Sequence, residues 1–179
     1  MANICSFVMK VRGEKEGIEQ FYKALSQEGK IWMGRGAEAD ISFNDDGAAL
    51  MSGWCKWSIA SALIDNAISM RTEPERWHHE PGDEELEYIT LYEACKRWNL
   101  AMEVYSEEGG CQFQEHFVCD RGDVICEECV DWEEYDVWDY ETKEEAEEEL
   151  GEEFTDEEWE SREDGRITRG GFESWDFEI

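Results

Sequence analysis

The chain has 179 residues, enough for one domain with a substantial hydrophobic core. Its 47 acidic and 16 basic residues give a formal charge of −31, which excludes charge-driven binding to nucleic acid or to anionic membranes. Aromatic residues make up 13% of the chain, nine of them Trp, so the charge coats a folded protein rather than signalling disorder.

The first predicted element is a strand in NICSFVMKVRG, where Cys5, Phe7, Met9 and Val11 alternate onto one face and Gly13 breaks the run. EKEGIEQFYKALSQEGK follows with Ile18, Phe21, Tyr22 and Leu25 at helical spacing, the stripe of an amphipathic helix. AEADISFNDDGAALMSGWCKW reads as two strands joined at Asp45-Asp46-Gly47, chemistry suited to a tight hairpin. A second helix is expected from Ser58 to about Met70, burying Ile59, Leu63, Ala67 and Met70.

Arg71 to Glu85 holds both prolines, His78 and His79 amid many charges, and is expected to be an exposed loop. Thr90 and Glu93 stand at capping-box spacing before a short helix in TLYEACKRW. Leu100, Met102 and Val104 begin a strand that turns at Gly109-Gly110 into CQFQEHFVC, and DRGD leads on to VICEECVDW. The resulting expectation is an α+β fold. It consists of a ferredoxin-like split βαβ antiparallel sheet with two helices on one face, extra C-terminal strands and short acidic helices.

Composition shifts near Val130. Residues 131–179 hold 22 acidic and 4 basic residues, net −18, against 25 and 12, net −13, in residues 1–130. Two regions are therefore expected: 1–130 as the α+β domain, and 131–179 as an acidic, aromatic-containing extension packed on it. Within the extension, Thr142 and Glu145, then Thr155 and Glu158, both match the capping box. Phe154 and Trp159 take the hydrophobic-staple positions around Thr155, and Gly151 fits a helix stop. These signals predict two short helices, about 142–150 and 155–163, in place of a disordered tail.

The acidity of this region admits three readings: solubility, a surface for a basic partner, or cation binding. Glu141 to Glu160 carries twelve carboxylates and one lysine, about one net charge per 2.7 Å if the segment were a straight helix. B-DNA presents roughly one per 1.7 Å of axis, so such a surface can compete for a groove built to hold phosphates. The candidate partner-binding residues are Glu133, Glu134, Asp136, Asp139, Glu144, Glu145, Glu147, Glu148, Glu149, Glu152, Glu153, Asp156 and Glu157. Trp138 and Trp159 are the candidate aromatic anchors among them. No EF-hand loop is present, which weakens the calcium reading.

Cys111, His116, Cys119, Cys126 and Cys129 contain enough donors for a tetrahedral zinc site. Strand geometry weakens that idea, because residues three apart, such as Cys126 and Cys129, point to opposite faces. Cys111 and Cys119 share a face with Phe113 and Phe117 and read as small core residues. Seven cysteines, an odd number, fit reduced thiols better than a disulfide framework. No cofactor is expected, and no ferredoxin-type cluster spacing occurs. The chain contains no Walker loop, G-x-S-x-G elbow, H-E-x-x-H or strand-linked G-x-G-x-x-G, so no enzyme is expected. With neither a leader pattern nor an apolar run of about 18 residues, the expected setting is soluble and cytoplasmic.

The segments MANICSFVMKVRGEKEGIEQFYKAL, CKWSI and YSEEGGCQFQEH, followed by a Gly-Asp turn, resemble the YubB ferredoxin-like domain family over about residues 1–131. The resemblance implies the fold and a plasmid or phage setting, without an iron–sulfur cluster and without catalytic residues to carry over. The acidic extension lies beyond it. In that setting the expected function is a non-enzymatic inhibitor of the anti-CRISPR or anti-restriction type. It would present a DNA-mimic-like surface to a basic nucleic-acid-binding site on a host defence nuclease. The alternative is a structural or regulatory adaptor, zinc-stabilised or not, with acidity serving only solubility.

Overall fold

The computed structural model describes residues 3–34, 37–76 and 86–179; the His78-His79 pair and most of its expected loop lie outside the described residues. The protein is a mixed α+β structure built on a mostly antiparallel seven-stranded sheet. The strands are β1 (Ile4–Arg12), β2 (Ile31–Trp32), β3 (Ala37–Phe43), β4 (Ala49–Lys56), β5 (Glu87–Tyr88), β6 (Ala101–Glu108), β7 (Phe113–Asp120), β8 (Asp123–Asp136) and β9 (Arg166–Gly170). Among the described residues, five α-helices, α1 (Lys15–Leu25), α2 (Asn66–Thr72), α3 (Leu91–Trp98), α4 (Lys143–Leu150) and α5 (Asp156–Ser161), accompany them. The large sheet runs β3-β4-β1-β6-β7-β8-β9, while β2 and β5 form a separate parallel pair.

The alternation read from β1 sets the layers. Cys5, Phe7, Met9 and Val11 are buried and face Cys55, Met51 and Ala49 on β4 and Met102 and Val104 on β6. Ile18, Phe21 and Leu25 of α1, Ile59 and Leu63 before α2, and Leu91 and Cys95 of α3 close one continuous core with them. Burying each large side chain removes apolar surface from water, worth about 2 kcal/mol apiece. The helix expected from Ser58 exists, but Ser61–Asp65 is wound as a π turn before α2 begins. The carbonyl oxygen of Ala62 in that turn comes so close to Gly34 (φ +66°) that a Cβ there would sit 1.8 Å away. Only glycine fits this position.

The β3–β4 hairpin turns at Asp45-Asp46-Gly47 as expected, closed by the Asn44 N–H donating to the Ala48 carbonyl at 2.8 Å and the Gly47 N–H to the Asn44 carbonyl at 3.0 Å. Other expectations needed correction. β2 and β5 were not foreseen, because two-residue strands leave no periodic signal. The sheet is larger than a four-stranded split βαβ with a meander. β8 runs fourteen residues and β9 adds a seventh strand, through pairing of Trp132–Asp136 with Arg166–Gly170. The position expected to divide the two regions, 130, thus falls inside β8. A second small core of Val137, Ala146, Phe154 and Ile167 sits beyond it, flanked by Tyr135, Tyr140 and Trp159.

Candidate functional site

Both expected helices of the acidic region form, but the first capping box is only half made, because the Glu145 carboxylate accepts from the Glu141 N–H and not from Thr142. Thr142 accepts the Glu145 N–H at 3.3 Å, and Gly151 ends α4 in the left-handed conformation. Thr155 and Glu158 form the full reciprocal box at the start of α5. α4 and α5 are separate helices, so the single straight rod behind the charge-density comparison does not form. By helical geometry Glu144 and Glu148 point away from the buried Ala146. Of the candidate carboxylates, Glu133, Glu134, Asp136, Asp139, Glu144, Glu145, Glu148, Glu149, Glu153, Asp156 and Glu157 are exposed, and Glu147 and Glu152 are half-exposed.

The four cations of this region are engaged within it. Lys143 pairs with Asp156, and Arg166 pairs with Glu134 at 3.4 Å. Arg169 contacts Glu158 at 2.7 Å and Glu152 at 3.5 Å while lying over the Phe154 and Tyr135 rings. Arg162 lies 4.2 Å from the Trp159 ring centroid and donates to the Trp159 carbonyl. Glu144, Glu148, Glu149 and Glu157 have no ion-pair partner among the described residues. The Arg169 guanidinium, then the Thr155 N–H, hold the Glu158 carboxyl down at about 2. The two proposed anchors differ: Trp138 is 72% exposed, whereas Trp159 is half-buried against the small core.

The zinc candidates do not converge as a set. Cys119 is buried on the helix-facing side beside Cys95, and Cys111 lies exposed in the β6–β7 turn, its sulfur accepting from Asn3 Nδ2 at 3.1 Å. The reading of Cys111 as a core residue is therefore corrected. Cys129 is exposed and aligned with Glu115, whereas Cys126 is half-buried and next to His116. His116 and Cys126 do meet: Sγ lies 3.7 Å from Nδ1, while Nε2 lies 3.0 Å from Glu103. Tyr105 stacks on the imidazole with centroids 4.1 Å apart, and Phe172 meets its edge. Trp175 and Phe177 complete an aromatic cover drawn from the last residues of the chain. Its backbone is fixed as well, with the Glu178 and Ile179 N–H groups donating to Glu103 at 2.7 and 3.1 Å.

The order Glu103–His116–Cys126 is that of a nucleophile triad, yet its electrostatics oppose one. Burial, then the charges of Glu128, Glu103 and Glu178, push the Cys126 thiol up, away from the reactive thiolate. The sequence reading missed Glu103, Glu108 and Glu115, all buried in a chain where carboxylates are too common to stand out. Glu108 accepts from the Gly110 and Cys111 N–H groups and fixes the turn. Glu115 accepts from Ile59 N–H at 2.7 Å, Ala60 N–H at 3.3 Å and Ser106 Oγ at 2.8 Å, serving the start of the second helix from across the sheet.

A cavity of about 820 Å³ lies elsewhere, between α2, β5 and α3. Its walls include Arg71, Lys96 and Arg97, with Arg71 paired to Glu93 at 2.9 Å and Arg97 to Glu87 at 2.7 Å. No helix among the described residues is long and apolar enough to cross a membrane. Compared with known families, curated proteins and solved structures, the chain finds no match.

Proposed function

We propose that the protein is a non-enzymatic inhibitor whose acidic face occupies a basic nucleic-acid-binding cleft of a host defence nuclease. The observation that carries this reading is the arrangement of charge. The carboxylates of α4 and α5 stand on a capped scaffold with its own small core, and the local cations bind that scaffold internally. A surface serving solubility alone has no need of fixed geometry, whereas one that replaces phosphates does. Trp138, exposed among the acids, is the anchor this reading assigns to the interface centre. Trp159 supports the face from below.

In the same reading, β1, α1, β3, β4, the helix ending in α2, and β6 correspond to a ferredoxin-like split βαβ. The strand order β3-β4-β1-β6 and its antiparallel pairings support this. It agrees with the resemblance to the YubB ferredoxin-like domain family, and hence with a plasmid or phage origin and action in the host cytoplasm. The direct test is competition. RNA-guided and restriction nucleases are each mixed with labelled DNA and increasing amounts of this protein, at low and high salt. Displacement of DNA that weakens as salt rises supports the proposal. No displacement from any of them at low salt overturns it.

A further inference from the structure

We propose that His116, Cys126 and Glu128 form a three-ligand transition-metal site suited to zinc, on the sheet face covered by the C-terminal aromatics. The three donor atoms lie within 4.8 Å of one another. Zinc–sulfur and zinc–nitrogen bonds of about 2.3 and 2.05 Å at a tetrahedral angle place the two donors roughly 3.6 Å apart. Cys126 Sγ and His116 Nδ1 are already 3.7 Å apart. Only the exposed Glu128 has to move inward.

The strand register explains why these residues meet. Glu128 lies opposite His116 across the β7–β8 pair, and Cys126 lies opposite Val118, two residues along on the same face. The irregularity after Val118 begins just beyond Cys126 and leaves both pairings intact. Cys129 falls on the other face, so the C-x-x-C spacing is not what forms the site.

Glu103 supplies the independent support. It is fully buried and holds His116 Nε2 at 3.0 Å. With Nε2 turned to this carboxylate, Nδ1 is the ring nitrogen that faces Cys126. A carboxylate behind a histidine is the usual way a metal-binding imidazole is oriented and made more basic. The Tyr105 stack and the Phe172 edge remove the ring's remaining freedom before any ion arrives. Glu103 and Glu178 add negative charge around the three ligands, which a dication offsets. A thiolate and an imidazole select zinc or a similar ion over calcium or magnesium. On binding, the Cys126 S–H proton passes to solvent and a metal–sulfur bond forms. Three protein ligands leave a fourth position for water or for a donor from a partner.

The test uses full-length, metal-stripped protein titrated with Co²⁺ and then Zn²⁺. We expect one tetrahedral, thiolate-ligated Co²⁺ per chain, displaced by Zn²⁺. Cys126→Ser is expected to abolish the thiolate band, and His116→Gln and Glu128→Gln to lower affinity at least about tenfold. Glu103→Gln weakens binding about 10- to 100-fold while the thiolate band keeps its position, as a positioning residue requires. Cys111→Ser and Cys129→Ser leave both unchanged. Circular dichroism of each variant identifies any that fails to fold, and the remaining ligand variants then decide. The proposal is overturned if no stoichiometric Co²⁺ binds. It is equally overturned if the band survives in folded Cys126→Ser or disappears in Cys129→Ser.

Discussion

Glu115 shows how a single buried polar side chain can hold two layers together. Its carboxylate leaves the sheet to accept the first free N–H groups of the helix beginning at Ile59, where the positive end of the helix dipole favours it. Glu115→Ala leaves two buried donors and one half-buried donor unsatisfied, so it should lower unfolding stability by about 3 kcal/mol, measured by urea denaturation. Glu115→Gln, which keeps one acceptor, should cost less. Glu158 offers a pH-dependent counterpart. Its folded carboxyl is held down at about 2, chiefly by Arg169, below the ordinary value near 4.5. The stability it contributes is present above that ordinary value and is lost as pH falls through the folded one. Acid titration followed by tryptophan fluorescence should therefore show a transition between about pH 4.5 and 2 around Trp159, and Glu158→Gln should diminish it.

At the scale of elements, β8 connects the two halves of the protein. Its first part continues the main sheet, and its last five residues pair with β9 above the small core. That core is compact enough for one side chain to decide its integrity. Phe154 contacts Tyr135 edge-on with centroids 5.4 Å apart and lies under Arg169. Phe154→Ala should cost about 3 kcal/mol locally, and hydrogen exchange should accelerate in α4, α5 and β9 while β1 and β4 stay protected. Much of this architecture was legible in the sequence. Period-two alternation marked β1, the i, i+3, i+4, i+7 stripe marked α1, and Thr–Glu spacings marked α3, α4 and α5, because each is a local signal. β9 was not legible, since RITRG is short and polar and becomes a strand only through pairing with β8. The His116 cluster was only half visible. Its residue types were plain, but the partners Glu103 and Glu128 were chosen by register, which no spacing along one strand reveals.

For the whole molecule, the decisive quantity is where the charge of −31 sits and what it faces. Truncation near Val130 is a poor probe, because it cuts β8 and removes the residues that cover Tyr105 and His116. Replacing exposed carboxylates leaves the scaffold intact. Glu144, Glu148, Glu149 and Glu157 have no ion-pair partner among the described residues, so exchanging all four for Gln should leave the melting temperature within a few degrees of the native value. The most direct measurement compares the native protein with this four-residue variant in displacing DNA from a nuclease that the native protein inhibits. On the proposal that the acidic face replaces phosphates, the variant loses at least about tenfold in potency, or about 1.4 kcal/mol, and shows a shallower salt dependence. Equal potency of the two folded proteins would contradict it.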